Sequence, residues 1–294
     1  MTTVGVVVHE GKSLGGGPDE LRRRLADAGH PHASWAFVPK SKKAPAAVRK
    51  LVDDGVDRLI VWGGDGTVRR CIDTLVADDA AAEVAIMPAG TANHLARALG
   101  VPGDLAGAAD VALAGVPRAI DIGVVNGEAF AVMAGSGFDA LMIRDVADGS
   151  KARFGRLSYV RAATRHLTSA GAGMRIEVDG DAWFTGRAAC VLVGNVGRII
   201  GGIDVFPEAR LDDGVLEVGV VTAARRRDWA RVAARAIAGR IDASPFVETT
   251  SAASLRIELD RRMPWELDGG DRAPARKFEL SVLPRRIPVM VPAP

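Results

Sequence analysis

The chain has few cysteines and no strong excess of charge of either sign. Its 294 residues include two cysteines, Cys71 and Cys190, and neither has a cysteine or histidine partner at metal-ligand spacing. This pattern indicates two reduced thiols in a reducing compartment rather than a disulfide framework or a cysteine-bound zinc. A formal net charge of +2 provides no global basic field, so we expect no nucleic-acid partner.

A long hydrophobic run is also missing, and no secretion signal is expected. No segment approaches the roughly 20 apolar residues of a membrane span. Met1-Thr2-Thr3 places no basic group ahead of the apolar residues 4–8, which predicts a strand rather than a signal peptide. We therefore expect a cytoplasmic protein, with peripheral contact to the inner face of the membrane left open.

The pattern of elements changes near residue 118. Residues 1–118 alternate short apolar strands with helical segments, which predicts a parallel sheet covered by helices. Further on, Asn126-Gly127 and Asp179-Gly180 join apolar runs in hairpin patterns, and residues 119–277 are expected to form an antiparallel sandwich or barrel. Within it, residues 255–259 and 264–267 read as separate strands. Residues 278–294 could close this second domain or return to the first.

The sequence thus predicts a Rossmann-like α/β domain followed by an antiparallel β-sandwich domain, with the active site in a cleft between them. The hydrophobic fraction of 48% suffices for two ordinary cores.

The first motif that carries chemistry is Gly63-Gly64-Asp65-Gly66-Thr67. It lies between the apolar run 59–62 and a helical stretch, so it predicts a strand, a tight turn and a helix. Converging backbone N–H groups and the positive end of a helix suit a phosphate. Asp65 would repel that phosphate and is expected to address a metal or a proton. A helix-capping aspartate is the alternative.

A second turn repeats this arrangement. Pro88-Ala89-Gly90-Thr91-Ala92-Asn93 follows a strand and precedes a helical segment. In a doubly wound sheet such turns meet at the carboxyl ends of the strands, where ligands bind. Thr67, Thr91 and Asn93 could supply hydroxyl and amide contacts, and helix capping is the alternative for Thr91 and Asn93.

Together these turns, followed by Ala96-Arg97, resemble the diacylglycerol kinase catalytic domain family, which includes soluble bacterial lipid kinases. The likeness continues through segments 130–140 and 151–159 and through Asp212-Asp213-Gly214, and it spans almost the full chain. The Gly-Gly-Asp-Gly-Thr run alone is shared with NAD kinases and phosphofructokinases. The resemblance implies Mg²⁺-dependent transfer of the ATP γ-phosphoryl group to a lipid hydroxyl, with diacylglycerol as the first candidate.

The resemblance also implies a nucleotide site. Its residues are expected to be Gly63, Gly64, Asp65, Gly66, Thr67, Gly90, Thr91 and Asn93, with Asp65 in an Asp–water–Mg²⁺ arrangement near the phosphates. Gly11 and Lys12 could also touch the nucleotide. The family commonly has Asn-Pro and Ser-Gly in this first loop, from which the chain departs, and a solvated loop lysine is the alternative.

A structural magnesium site is implied at the Asp212-Asp213-Gly214 turn. The carboxylate would be that of Asp213, and the carbonyl oxygens those of Arg210 and Val215. One carboxylate with backbone carbonyls and waters suits Mg²⁺, and a solvated acidic turn is the alternative.

The proton acceptor is less well defined. The family ends its second domain with Asp-Gly-Glu, whereas this chain has Asp268-Gly269-Gly270-Asp271. Asp268 or Asp271 could act as the base, because the loose transition state of phosphoryl transfer needs only a modest acceptor. A NAD kinase and a catalytically weakened nucleotide- or lipid-binding regulator remain alternatives.

Contact with a membrane is expected from a basic segment. Lys151, Arg153 and Arg156 surround Phe154, and basic residues with an aromatic suit an anionic leaflet. A solvated face is the alternative reading. The resemblance also suggests a homodimer, while the lipid acceptor stays open.

Overall fold

The computed structural model describes residues 2–137, 171–199 and 203–294. The chain divides into two compact units, Met1–Ile122 with Arg285–Pro294, and Gly123–Pro284. The sequence predicts that the chain passes from the first domain to the second after residue 118, and it assigns residues 278–294 to either domain. In the structure the chain leaves the first unit after Ile122, and the last ten residues belong to the first unit.

The first unit alternates strands and helices. Its strands are β1 (Val4–His9), β2 (Ser34–Val38), β3 (Arg58–Gly63) and β4 (Glu83–Pro88), and its helices are α1 (Pro18–Asp27), α2 (Ala44–Asp53), α3 (Asp65–Ala77), α4 (His94–Ala98) and α5 (Leu105–Ala114). The central strands are apolar and buried along almost their whole length, as expected for a parallel sheet with both faces covered.

The second unit is built mainly from strands. These are β5 (Val116–Val125), which enters it from the first unit, β6 (Glu128–Phe130), β7 (Met133–Gly137), β8 (Ala172–Val178), β9 (Asp181–Ala188), β10 (Cys190–Gly194), β11 (Arg198–Ile199), β12 (Ile203–Asp204), β13 (Leu216–Val221), β14 (Val247–Ala252), β15 (Ser254–Leu267) and β16 (Gly270–Val291), together with helix α6 (Arg226–Ile237). The predicted helix at 157–168 lies outside the described residues.

The sheet of the first unit is parallel, in the order β4-β3-β1-β2. The register aligns Phe37 with Val8, Val8 with Trp62, and Trp62 with Met87. The end of β16 adds to this sheet, where Val289 pairs with Val84 in parallel. The carboxyl ends of β1, β3 and β4 therefore meet at one edge, and the glycine turns follow β3 and β4 there.

The second unit confirms the predicted antiparallel sandwich. Its strands pair antiparallel in the order β14-β13-β10-β7-β15-β16, and β8 joins β9 to β15. One contiguous apolar core lies inside, with Phe130, Ile176, Leu216, Val218 and Leu267 fully buried.

Both predicted hairpin turns have the backbone that the sequence indicates. Asn126 and Gly127 adopt φ of 49° and 85°, and Asp179 and Gly180 adopt 50° and 95°. Positive φ at both central residues defines the tight turns that match the twist of a hairpin.

The prediction of separate strands at 255–259 and 264–267 is wrong. A single strand, β15, runs through Pro264 and bends at register shifts between Glu258 and Met263 and between Met263 and Trp265. Bulges of this kind accommodate a proline that a regular strand would exclude.

Both cysteines are buried and neither forms a disulfide, and burial raises the pKa of Cys71 to about 12. Within the described ranges, no helix has the length and apolar character needed to cross a membrane.

Candidate active site

The two glycine turns touch through their backbones. A Cβ added to Gly90 would lie 2.4 Å from the Cα of Gly64, and one added to Gly64 would lie 3.0 Å from the Cα of Gly90. A Cβ on Gly63 would meet the side chain of Thr67 at 2.6 Å. Close approach therefore requires glycine at these three positions, and it joins the two predicted phosphate turns into one structure.

Helix α3 begins inside the first turn. The N–H groups of Thr67 and Val68 donate to the Gly64 carbonyl at 2.8 and 3.1 Å, while Gly66 is exposed with no atom within 4 Å of an added Cβ. The first N–H groups of a helix have no acceptor inside the helix. The exposed turn thus offers donors to an anion, at the positive end of a 13-residue helix.

Asn93 holds the second turn together. It adopts a left-handed backbone with φ of 49°, its Oδ1 accepts the Gly90 N–H at 2.9 Å, and its Nδ2 donates to the carbonyls of Pro88 and Gly90 at 2.9 Å. These bonds give the Asn93 side chain a role in positioning the turn, while its contact with a nucleotide stays a prediction. Thr91 is exposed at the same turn, whereas Thr67 is buried.

Asp65 links the two turns. It is the first residue of α3 and is half-buried, and its Oδ1 accepts the His94 N–H at 2.6 Å. The bond fixes the start of α4 against α3. Burial lowers the pKa of His94 and Arg97 lowers it further, against the opposing influence of Asp65, so the neutral imidazole is favoured.

The loop after β1 reaches the same edge of the sheet. The His9 Nδ1 accepts the Gly11 N–H at 3.1 Å, and the Trp62 indole N–H donates to the Lys12 carbonyl at 3.1 Å. Gly11 and Lys12 are exposed. Sequence reasoning missed the role of Trp62, whose only signal is a tryptophan immediately before the first glycine turn.

Asp268 has a different environment. Its exposed fraction is 8%, and its carboxylate accepts the N–H groups of Ala131, Val132 and Met133 at 3.0, 2.9 and 2.8 Å. Three donors of this kind stabilise the ionised carboxylate. The geometry thus gives Asp268 a positioning role, while its role as the base stays a prediction.

Two more acids flank this turn. Glu266 is almost fully buried and its Oε2 accepts the Gly269 N–H at 2.9 Å, which sequence reasoning also missed, because alternation alone places it on the solvent face. Asp271 is exposed. Of the two predicted bases, Asp271 is the one within reach of solvent.

The predicted metal loop carries concentrated negative charge. Asp213 Oδ1 accepts the Val215 N–H at 3.3 Å, and the pKa of Glu217 is raised by burial and by the nearby carboxylates of Asp213 and Glu208. In the described ranges, no three histidine, cysteine or acidic side chains converge as a metal site. A set of one carboxylate and the carbonyls of Arg210 and Val215 is compatible with that finding, and the negative field suits a cation.

The basic segment predicted to meet a membrane, with Lys151, Arg153 and Arg156, lies outside the described residues.

Comparison with known proteins identifies the family. Residues 11–125 match the diacylglycerol kinase catalytic domain, and residues 132–291 match the YegS C-terminal NAD kinase beta sandwich-like domain. A diacylglycerol kinase of Bacillus subtilis is 32% identical over 252 residues, which cover 85% of this chain and 82% of the relative. One from Staphylococcus carnosus is 27% identical over 264 residues, covering 89% and 86%.

Solved structures share the fold. A diacylglycerol kinase from Bacillus anthracis str. Sterne superposes with a TM-score of 0.79 at 24% identity, covering 98% of this chain and 96% of that one. An NAD kinase from Archaeoglobus fulgidus in complex with ATP gives a TM-score of 0.53 at 11% identity, covering 98% and 92%. These two likenesses concern the fold alone. The two domain matches and the 32% identical relative show that the chain belongs to the diacylglycerol kinase catalytic domain family and is a lipid kinase.

Proposed function

We propose that this lipid kinase transfers the γ-phosphoryl group of ATP to the hydroxyl of diacylglycerol and forms phosphatidic acid. The observation that carries the proposal is the backbone contact between Gly64 and Gly90 beside the N-terminus of α3. Phosphoryl transfer depends on positioning and charge stabilisation more than on covalent chemistry, and this site supplies both. Relatives that are named diacylglycerol kinase support the choice of acceptor.

The first unit provides the nucleotide contacts in this proposal. The exposed N–H groups of the first turn and the exposed Thr91 receive the phosphates, and Gly11 and Lys12 approach from the loop after β1. Mg²⁺, when bound, supplies positive charge to the phosphate oxygens. Asp65 would address that ion through a water molecule, and its bond to the His94 N–H keeps the carboxylate in one orientation.

A second Mg²⁺ would have a structural role. Asp213 and the carbonyls of Arg210 and Val215 would hold it. Magnesium prefers oxygen ligands and keeps several waters, so this small donor set is sufficient. The raised pKa of Glu217 supports the assignment, because a cation would relieve the repulsion among Glu217, Asp213 and Glu208.

Of the two acids proposed as the base, the exposed Asp271 is assigned to the proton and Asp268 to the support of its turn. The three N–H bonds to Asp268 favour the ionised, positioning role. The contact of Lys151, Arg153 and Arg156 with anionic headgroups, the homodimer and the cytoplasmic location also stay predictions.

An acceptor panel tests the proposal. Purified protein with ATP and Mg²⁺ is offered diacylglycerol, monoacylglycerol, sphingosine, phosphatidylglycerol, NAD or no acceptor, and transfer of labelled phosphate is measured. We expect the highest kcat/KM with diacylglycerol and none with NAD. Turnover with NAD alone, or only without an acceptor, would overturn it.

A further inference from the structure

The edge strand β2 carries an unusual aromatic pair. Trp35 and Phe37 project from the same face of the strand and stack with ring centroids 6.2 Å apart and an interplanar angle of 19°. Phe37 is 47% exposed, and among the described residues only Val116, at 41%, is another exposed large apolar side chain. A stacked aromatic pair with one exposed ring, on the last strand of the described sheet, is a feature of surfaces that meet an apolar partner.

Positive charge lies beside one ring of this pair and follows the strand in sequence. The Arg22 guanidinium lies 4.6 Å from the centre of the Trp35 ring and also contacts the exposed Asp19 at 3.3 Å. Lys40, Lys42 and Lys43 follow β2 and are exposed. Residues 18–50 contain eight lysines and arginines against three acids. We refer to Arg22, Trp35, Phe37, Lys40, Lys42 and Lys43 as the β2 patch.

The β2 patch adjoins the edge of the sheet that bears the glycine turns. Phe37 is in register with Val8, and Val8 with Trp62, the residue before Gly63. Two strand spacings separate Phe37 from Trp62, or about 10 Å. Phe37 and the glycine turns lie toward the carboxyl ends of their strands, so a surface held at Phe37 would be close to the nucleotide turns.

We propose that the β2 patch docks the kinase on an anionic bilayer, with the Phe37 and Trp35 rings at the headgroup level and the lysines against lipid phosphates. Interfacial aromatics with a cationic rim match the chemistry of such a surface. A second copy of this chain fits less well. A symmetric pair would face the same lysines toward one another, which like-charge repulsion opposes. The proposed phosphorylation of a lipid explains why the protein would dock on a bilayer. Binding of the β2 patch to the bilayer does not require that reaction.

Vesicle sedimentation of the full chain tests the proposal. Phe37→Ser removes the exposed ring, and Val116→Ser removes a similarly exposed apolar side chain elsewhere as the matched control. With vesicles of phosphatidylglycerol and phosphatidylcholine, we expect Phe37→Ser to lower the partition coefficient about tenfold and Val116→Ser to change it less than about twofold. Substituting Lys40, Lys42 and Lys43 together by Gln should lower it about 100-fold.

Equal binding by Phe37→Ser and Val116→Ser at unchanged melting temperature would overturn the proposal. Loss of a dimer in light scattering by Phe37→Ser, with vesicle binding intact, would instead assign the patch to a second copy and overturn it as well. Phosphorylation of a dispersed short-chain diacylglycerol should be unaffected by Phe37→Ser. A wild-type protein that sediments with vesicles but phosphorylates no lipid would refute the proposed function and leave the docking surface intact.

Discussion

Two aspartates at strand-to-turn junctions, Asp65 in the first unit and Asp268 in the second, have opposite environments. Asp65 is half-buried, and within the described part of the chain only its Oδ1 accepts a hydrogen bond, from the His94 N–H. Asp268 is 8% exposed, and its two oxygens accept the backbone N–H groups of Ala131, Val132 and Met133. One oxygen of the Asp65 carboxylate is therefore available to a ligand, whereas the Asp268 carboxylate stabilises the local backbone.

The contrast shows that the number of hydrogen bonds accepted by a carboxylate distinguishes a catalytic from a structural aspartate better than the residue type does. Both residues are acids in glycine-rich turns, and the sequence proposes both as catalytic. Removing a carboxylate that accepts several buried N–H groups lowers the free energy of unfolding, because those donors lose their acceptor. A carboxylate with an available oxygen can instead bind a metal or accept a proton. The predictions below test this difference, from the largest expected effect to the smallest.

Asp65→Asn should give the largest loss of activity. The amide keeps an acceptor for the His94 N–H but removes the charge that faces the proposed Mg²⁺, so we expect kcat to fall by about 100-fold or more. The melting temperature should stay near that of the wild type. Steady-state assays with ATP and diacylglycerol, beside thermal unfolding, measure both; a variant with wild-type kcat would remove Asp65 from the chemistry.

Asp268→Asn should instead reduce stability. Replacing one carboxylate oxygen by an NH₂ group sets a donor against backbone donors, and we expect a loss of about 3 kcal/mol in the free energy of unfolding. Asp271→Asn is the matched control, with a stability change within about 0.5 kcal/mol and a kcat about tenfold lower if Asp271 accepts the proton. Denaturant titration and kinetics of both variants decide the matter. A stable but inactive Asp268→Asn variant would make Asp268 the base.

Alanine substitutions at Gly90 and Gly66 should affect stability and ATP binding differently. Gly90→Ala would press a Cβ onto the Gly64 backbone at 2.4 Å and should cost about 2 kcal/mol of stability. Gly66→Ala meets no atom within 4 Å and, inside helix α3, should gain about 0.5–1 kcal/mol. Its methyl group would nevertheless obstruct a phosphate at the turn, so the KM for ATP should rise several-fold. An unchanged KM would argue against phosphate binding there.

Glu217 predicts a smaller, pH-dependent effect. Its pKa is raised above the ordinary value by burial and by Asp213 and Glu208, so protonation is favoured more in the folded state than in the unfolded chain. The contribution of this group to the free energy of unfolding is fully present below the unfolded-state pKa. It is lost as the pH rises through the folded-state pKa. Glu217→Gln should therefore be more stable than the wild type at pH 7, and the difference should close in acid.

Mg²⁺ should reduce the difference in stability between the wild type and Glu217→Gln at pH 7, because it should stabilise the wild type more than the variant. Thermal unfolding across pH with and without Mg²⁺ measures this. Identical pH curves for the two proteins would contradict the proposed carboxylate cluster, and an equal lack of any Mg²⁺ response would contradict the metal loop.

Features that depend on neighbours in sequence were predicted well. The parallel strands, the Asn-Gly and Asp-Gly hairpins and the first glycine turn all follow from local patterns. The environment of Asp268 could not be predicted, because its donors are 135 to 137 residues away in sequence. The same holds for Gly64 and Gly90, whose contact depends on how two strands align. The bonds of Asn93 to its own turn could not be predicted either, because they require a left-handed backbone that the sequence does not reveal.

The most direct test compares Asp65→Asn and Asp268→Asn with the wild type in one assay. Phosphoryl transfer from ATP to diacylglycerol in mixed micelles would be measured with Mg²⁺ at a temperature where circular dichroism shows all three proteins folded. We predict that Asp65→Asn loses transfer by about 100-fold or more and that Asp268→Asn retains a kcat within severalfold of the wild type. An active Asp65→Asn beside a folded, inactive Asp268→Asn would contradict the account.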